Sequence, residues 1–426
     1  MEVWREIRRG TLRGIVEKLF FCAMFALPWI YNIRAATFLF IATGGLLILS
    51  GDLRMDYSWY RKQALFLLFL AYYLFQVVAL CFYPHDVFVH ADLEKKASLI
   101  VIPLLLYVLL TTYKDAWKMG VAGFIYGNTF AALCCFIMAI ARFAGSKNAD
   151  VFFYHQYAHV TGLNAIYFSF YLLVTLGYIV INNTFILIRW LTNVVVVFLY
   201  LNLLLLSSKM MIVAGTLLLI ASLLRSVKPR WQKMAILSGI ACISVALAST
   251  GNPIRKRYAD VNIHNYSLVF NTRDFTDYSF DGLSIRLALW RLGNELVNER
   301  HMWLFGAGGD RYQPSLNSKI KRYGLYSGDS ARGDKGYQNY NMHNQYMESY
   351  LQFGIAGVVT LLSILTCVIY YATRSHNGMM IYTGILFSVA FLTESVLETQ
   401  AGILLFTIII SGEWIQSQMN KQSALN

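Results

Sequence analysis

The sequence predicts an all-α polytopic membrane protein with about twelve transmembrane helices and one long, partly helical external loop. Of its 426 residues, 57% are hydrophobic and 14% are charged, whereas a soluble domain carries about 25% charged residues. Apolar runs recur along most of the chain, many of them near the length of about 20 residues that a spanning helix needs. Six prolines and 29 glycines argue against a disordered or fibrous polypeptide. These observations exclude a water-soluble globular enzyme.

Each predicted span is an apolar run that ends at charged or turn-forming residues. Only Ser207, Ser208 and Lys209 separate the seventh run from the eighth, so about eleven to thirteen spans fit the pattern. The chain then divides into about nine spans at residues 1–249, a loop at 250–344, and about three spans with a tail at 345–426. The predicted spans lie near residues 15–31, 34–51, 63–82, 97–112, 117–142, 161–181, 185–206, 209–225, 231–249, 345–372, 378–395 and 399–417.

The basic residues orient this bundle, because Lys and Arg accumulate in cytoplasmic loops. With the N-terminus placed inside, the cytoplasmic breaks and tails carry 17 of the 36 basic residues, and the short outer loops carry six. The remaining 13 lie in the long loop, whose length exempts it from this rule. We therefore expect both termini in the cytoplasm and the long loop outside. The first apolar run continues to spanning length, so we expect no cleavable signal peptide.

The net charge of +13 would suit a nucleic-acid-binding protein, because basic chains attract phosphate backbones. No basic block or recognisable nucleic-acid module stands apart from the apolar runs, however. We therefore predict membrane lipids, and no nucleic acid, as partners. The cysteines all fall inside apolar runs without paired spacing, which indicates neither a disulfide framework nor a zinc site; they are Cys22, Cys81, Cys134, Cys135, Cys242 and Cys367.

The long loop is rich in Tyr, Asn, Asp and Gly, a composition that suits a sugar-handling surface and equally suits any exposed loop. One stretch, residues 284–299, has apolar residues at helical spacing and predicts an amphipathic helix. Its apolar stripe comprises Ile285, Leu289, Leu292 and Leu296. A glycine-rich segment at 305–309 ends the pattern, and we predict a flexible stretch from there to Tyr340.

Two cationic features lie at the predicted outer boundary of the membrane. Lys209 follows two serines at an outer turn, where it can either snorkel to lipid headgroups or neutralise a lipid phosphate. Arg286 and Trp290 are four residues apart, so they share one face of the predicted helix. They can form a cation–π pair, or Arg286 can grip phosphate oxygens with its planar guanidinium.

The third feature opens the tenth predicted span. His343 stands at the mouth of that span, where it is either an interfacial histidine or a general base, since an imidazole titrates near neutral pH. Gly354 and Gly357 follow about three turns later and permit close helix approach.

Weaker signals are carried by isolated acids and histidines. His155 and His159 have i,i+4 spacing but lack the glutamate of a zincin motif. Asp92 and Glu94 suit either a divalent metal or a solvated loop. Glu394 is an acid at predicted membrane depth, where such residues tend to be paired or functional. Either candidate cation is a possible partner for it.

Taken in order, these features resemble the O-antigen ligase and O-antigen polymerase superfamily, from about the sixth span to the C-terminus. The resemblance rests on four motifs that surround one long external loop. They are Leu206-Ser207-Ser208-Lys209, Ser284-x-Arg286-x-x-x-Trp290, Leu304-Phe305-Gly306-Ala307-Gly308-Gly309, and His343-Asn344 followed by Gly354-x-x-Gly357.

The resemblance implies a metal-independent, inverting glycosyltransferase without cofactors, with a GT-C-like organisation and a periplasmic active site in a bacterial inner membrane. It implies that Arg286 and Lys209 bind the pyrophosphate of an undecaprenyl-diphosphate-linked glycan donor, and that His343 activates the acceptor hydroxyl. Position 209 carries Lys where the family usually has Arg, so the charge is kept but the bidentate fork is lost. Trp290, Asn344 and Glu394 are the predicted supporting residues.

Among the functions that the superfamily covers, the prediction is a ligase that transfers glycan onto lipid A–core. A polymerase joining lipid-linked repeats and an O-linked protein oligosaccharyltransferase remain alternatives with the same donor chemistry. A lipid-linked glycan transporter is the alternative from another class. The span pattern has no inverted repeat and no pair of Gly/Pro-broken spans in matching halves, both of which a secondary transporter is expected to show.

Overall fold

The computed structural model describes residues 2–29, 33–49, 63–182, 189–226, 238, 264–276, 278–329 and 334–425. Within these residues the protein is helical and contains no strand, which confirms the predicted all-α class. The α-helices are α1 Glu2–Ala26, α2 Ile33–Leu49, α3 Ala64–Phe82, α4 Val87–Lys96, α5 Ser98–Thr112, α6 Ala116–Ser146, α7 Tyr154–Ala158, α8 Ala165–Ile181, α9 Arg189–Leu205, α10 Lys209–Ser226, α11 His264–Asn271, α12 Ser284–Glu299, α13 Gln313–Arg322, α14 Gln345–Arg374, α15 Gly378–Ala390 and α16 Gln400–Leu425.

Three of the described helices, α3, α6 and α14, are long and apolar enough to cross a membrane. A fourth span is possible if the segments Tyr154–Thr161 and Ala165–Ile181, which meet at a bend of 70°, cross together. Four further apolar stretches of 10–17 residues occur in α2, α9, α10 and α15. The predicted count of about twelve spans is therefore not confirmed, and the ninth predicted span, 231–249, falls almost wholly outside the described residues.

Hydrogen bonds between helix termini mark one end of the bundle. There the buried carboxylate of Glu413 accepts from Trp117 Nε1 at 3.1 Å, Tyr178 OH at 2.9 Å and Asn377 Nδ2 at 3.0 Å. These residues lie at the start of α6, the end of α8 and the entry to α15. The opposite termini of α8 and α15 therefore lie at the other end.

We call that other end the loop end. Here the backbone N–H of Gln345, the first residue of α14, donates to the carbonyl oxygen of Phe391 just after α15, at 2.8 Å. Tyr167 OH, at the start of α8, donates to the carbonyl oxygen of Ser395 at 3.3 Å. Lys96 Nζ, at the end of α4, pairs with Glu398 at 3.1 Å. The end of α4 and the segments 342–344 and 391–399 thus meet at one end of the bundle.

The segment between α10 and α14 contributes a small helical unit to the loop end. Helix α12 has the bounds that the sequence predicted, and all four residues of its apolar stripe are buried. Helix α13 lies against it, joined by Lys319 Nζ, which pairs with Glu299 at 2.6 Å and Glu295 at 3.4 Å. The prediction of a flexible stretch to Tyr340 is wrong for α13. That short helix buries only Leu316 and Ile320 among its apolar residues, too few for a recognisable periodicity.

The glycine-rich segment docks onto a break in α14. At Gly354 the backbone leaves helical geometry, with φ 63° and ψ −157°. The carbonyls of Leu351 and Gln352 accept hydrogen bonds from the N–H groups of Ala307 and Gly308, at 2.8 and 2.9 Å. Below the break, the N–H of Ile355 donates to the carbonyl of Trp303 at 2.7 Å. The loop therefore satisfies backbone groups that the broken helix leaves open.

Candidate active site

Glu394 joins two of the predicted site residues at the loop end. Its Oε1 accepts from Arg286 Nη2 at 2.7 Å, and its Oε2 lies 3.2 Å from His343 Nδ1. Glu394 is buried, whereas the side chains of Arg286 and His343 are 22% and 28% exposed. One carboxylate thus holds an arginine and a histidine with part of each open to a ligand. Of the two predicted partners for Glu394, the structure selects Arg286.

Three different elements supply these side chains. Arg286 lies in the first turn of α12, His343 directly precedes the N-cap of α14, and Glu394 follows α15. Asn344 is that N-cap, and its Oδ1 accepts from the N–H groups of Tyr346 and Met347, at 2.9 and 3.0 Å. Asn344 therefore acts here as a helix cap that fixes where His343 leaves the helix.

Trp290 connects α12 to the histidine segment. Its Nε1–H donates to the carbonyl oxygen of Met342 at 2.6 Å. The ring of Tyr340 lies edge-on to the imidazole of His343, with 5.8 Å between the ring centroids. Trp290 is therefore one turn along the helix face from Arg286 and adjacent to His343 through the backbone, consistent with a supporting position.

Lys209 begins α10, just after Ser207, whose φ of 52° turns the chain sharply between α9 and α10. Its side chain is partly exposed. Both α9 and α10 pack against α8, the helix whose Tyr167 bonds to Ser395, next to Glu394. Lys209 is thus linked to the Glu394 region through α8.

A second charged cluster lies at the loop end, beside the first. Lys95 Nζ is 2.9 Å from Asp92, 3.2 Å from Asp310 and 3.3 Å from Glu398. Lys96, which is fully buried, pairs with Glu398 at 3.1 Å and Asp92 at 3.6 Å. The expectation of a solvated loop acid is therefore wrong for Asp92, because folding buries the face of α4 that carries it.

Three carboxylates of this cluster lie close enough together to be considered as metal ligands. One ligand atom from each of Asp92, Asp310 and Glu398 lies within 4.8 Å of the others. The ammonium of Lys95 contacts all three, however, and so takes the place that a cation would need. Burial alone would raise the pKa of Asp92, but Lys96 and Lys95 outweigh burial and hold that pKa below its usual range. The arrangement fits an internal ion-pair network better than a metal centre.

The first cluster can perform acid–base chemistry beside an anion. When Nδ1–H donates to Glu394, the Nε2 of His343 carries the lone pair and can accept a proton. Arg286 uses Nη2 for Glu394, and within the described part of the chain no further acceptor is bonded to it. Its Nε–H and Nη1–H groups are then available to oxygens of a ligand. This combines a base and an anion-binding group.

Sequence analysis missed two polar residues next to this cluster, Glu348 and Ser395. Both are buried, and Ser395 Oγ donates to Glu348 Oε2 at 3.0 Å. Ser395 resembles any serine near a helix end, but Glu348 is an acid within a predicted span. The rule that singled out Glu394 applies equally to Glu348 and would have found it.

The fold and the cluster together define a helical membrane protein with a polar, ligand-accessible site at one end of its bundle. Residues 194–362 match the family model described as O-antigen ligase. The match confirms, over this segment, the resemblance that the four motifs predicted. It supports a function of the O-antigen ligase or polymerase type. The segment includes Lys209, Arg286 and His343, whereas Glu394 lies beyond it.

A curated relative from Haemophilus influenzae is 29% identical over 153 residues, which is 34% of this chain. It is described as an uncharacterized protein, and the chain covers 34% of its length.

Proposed function

We propose that the protein is an O-antigen ligase-type inverting glycosyltransferase. In this proposal it transfers a glycan from undecaprenyl diphosphate to lipid A–core at the periplasmic face of a bacterial inner membrane. The observation that carries the proposal is the bridge from Arg286 through Glu394 to His343, in which one buried carboxylate places a base next to an anion-binding group.

His343 is the proposed general base. The acceptor hydroxyl attacks the anomeric carbon of the donor, and its proton passes to Nε2 of His343. Glu394 accepts the Nδ1–H, which orients the ring and stabilises the imidazolium that forms. A new glycosidic C–O bond forms on the face opposite the leaving group, so the anomeric configuration inverts.

Arg286 and Lys209 are the proposed partners of the leaving group. As the anomeric C–O bond breaks, its electron pair goes to the undecaprenyl diphosphate, which gathers negative charge. Cations placed at that charge lower the barrier without a metal ion. Arg286 contributes its Nε–H and Nη1–H groups next to His343. Lys209 contributes a single positive charge from the start of α10.

The position of the Arg286–Glu394–His343 cluster suits an amphipathic substrate. The donor tail needs bilayer, whereas its sugars need water. The loop end provides both, because α14 is apolar enough to span and the polar unit of α12 and α13 lies at its head.

Two variants test the site with a purified protein in nanodiscs, undecaprenyl-diphosphate-linked glycan as donor and lipid A–core as acceptor. His343→Ala and Arg286→Ala should each lower transfer by about 10²- to 10⁴-fold. Both variants should fold and insert like the parent protein. Full transfer in both would refute the site assignment.

A deletion strain of the source bacterium separates the ligase from its relatives. Loss of long glycan from surface lipopolysaccharide, with accumulation on the polyprenyl carrier, identifies a ligase. Core capped by a single repeat, without lipid-linked polymer, identifies a polymerase. Unchanged lipopolysaccharide would contradict both and direct the search to glycoprotein acceptors.

A further inference from the structure

Glu348 is a buried acid that lies one turn into α14, close to the His343–Glu394 pair but outside it. Its Oε2 accepts from the backbone N–H of Met342 at 2.9 Å and from Ser395 Oγ at 3.0 Å. Its Oε1 accepts from the hydroxyl of Tyr312. Three polar groups from different segments thus converge on the carboxyl group of Glu348.

The bonds to Glu348 reach both neighbours of His343 along the chain. The backbone N–H of Met342 donates directly to the Glu348 carboxylate. The N–H of Asn344 donates to Ser395 Oγ at 3.2 Å, and that same oxygen donates to Glu348. The two peptide N–H groups that flank His343 therefore lead to one carboxylate.

The same network reaches the other member of the pair, because Ser395 follows Glu394 in the chain. Glu348 thus bonds to a residue adjacent to the histidine and to a residue adjacent to its carboxylate partner. His343 and Glu394 are 51 residues apart, so neither places the other through local structure.

The backbone at His343 needs such support. Its φ is 45°, in the left-handed region that non-glycine residues adopt only at an energetic cost. The His343 N–H donates to Asn341 Oδ1 at 3.0 Å, which also favours this turn. Without the flanking bonds to Glu348 and Ser395, the segment can relax and carry the imidazole away from Glu394.

We propose that Glu348 is a positioning residue that sets the distance and orientation between His343 and Glu394. This inference rests on the proposed function, because it assigns Glu348 a role through the base. The hydrogen bonds of the Glu348 carboxyl group go to Tyr312, Met342 and Ser395 rather than to the imidazole or the guanidinium, so it acts through the segments that carry those groups.

Glu413 offers a matched control for a merely structural carboxylate. It is also buried and accepts three hydrogen bonds, but it lies at the opposite end of the bundle. Replacing either acid by glutamine puts an amide donor where a carboxylate oxygen accepts. Both substitutions should therefore lower the melting temperature.

The experiment compares kcat, donor KM and melting temperature in nanodiscs for Glu348→Gln, Glu413→Gln, His343→Ala and the Glu348→Gln/His343→Ala double variant. Glu348→Gln should lower kcat by about 10²-fold and change the donor KM by less than about threefold. Glu413→Gln should keep kcat within about threefold. In the His343→Ala background, Glu348→Gln should lower the residual turnover by less than about threefold, because the group it positions is gone.

Several results would overturn the inference. A parental kcat in Glu348→Gln would contradict it. A kcat of the double variant that is lowered by the product of the two single-variant effects would also contradict it. If Glu348→Gln does not fold, Ser395→Ala replaces it, and a kcat within twofold of the parent would be equally contradictory. If His343→Ala loses transfer while Glu348→Gln keeps it, only this inference fails. If His343→Ala keeps full transfer, the proposed function and this inference fail together.

Discussion

Gly306 and Gly354 lie against each other's backbone segments, and neither position has room for a side chain. A Cβ at Gly306 would overlap the backbone nitrogen of Phe353, and a Cβ at Gly354 would overlap the carbonyl carbon of Leu304. Both residues have positive φ, 65° and 63°, a conformation that glycine adopts without penalty. Two of the four sequence motifs therefore form one structural unit, the docked loop and the broken helix.

The first prediction concerns this unit. Gly306→Ala and Gly354→Ala should each destabilise the protein by about 1–3 kcal/mol, because an added Cβ strains the backbone and displaces the loop. The measurement is thermal unfolding in nanodiscs, together with transfer activity. Gly282→Ala is the control, since a Cβ there meets nothing within 4 Å and the residue lies, like Gly306, between α10 and α14. Equal stability of all three variants would contradict the prediction.

The second prediction concerns Lys209. Lys209→Ala should lower kcat/KM for the lipid-linked donor by about 10- to 100-fold, the value of one charge-assisted hydrogen bond. Lys209→Arg should retain activity within about threefold of the parent or exceed it, because it restores a bidentate fork. Lys335→Ala, which removes an exposed cation between α13 and α14, should have no effect. Normal kinetics of Lys209→Ala would remove Lys209 from the donor site.

The third prediction concerns metal ions. Incubation with EDTA followed by buffer exchange should leave transfer within about twofold of the untreated protein, since in the proposed mechanism the cations for the leaving group are Arg286 and Lys209. Among the described residues, the group of three carboxylates that could hold a metal already surrounds Lys95. A tenfold loss of transfer activity that Mg²⁺ or Mn²⁺ reverses would contradict the proposed metal-independent mechanism.

The fourth prediction concerns acid pH and the join between α12 and α13. Burial tends to raise the pKa of Glu295, but hydrogen bonds from Tyr323 and Arg291 outweigh it, and the net pKa is lowered. The folded protein therefore binds this proton less readily than the unfolded chain. The stabilisation is present above the ordinary glutamate pKa of about 4.3 and is lost as pH falls through the lower folded value.

Hydrogen exchange of residues 313–322, corrected for intrinsic rates, measures this effect. Protection should decrease in the parent protein between about pH 4.5 and pH 3. In Glu295→Gln, protection should already be lower at neutral pH and depend less on acidity. Protection that stays constant in the parent protein would argue against a role for Glu295 in joining the helices.

Helix α12 shows which parts of the fold can be predicted from the local sequence pattern. Its apolar stripe repeats every three to four residues, so neighbours in sequence specify both the helix and its buried face, and its bounds could be predicted. Helix α13 was not predicted, because it buries only two apolar residues and these do not form a recognisable periodicity. The sequence did not predict the break in α14 either. Its pattern indicates only that Gly354 permits close helix packing, and the break depends on the loop that docks there.

The sequence by itself determined the membrane class, the helical content, and Arg286 and His343 as site candidates, because hydropathy, periodicity and side-chain chemistry are local properties. Only the tertiary structure decided that Glu394 joins them, across 108 and 51 residues of chain. It also decided that Asp92 is buried in an ion-pair network and that Glu348 supports the histidine segment. Such pairings depend on how helices far apart in sequence pack at a common end, and no local pattern encodes that geometry.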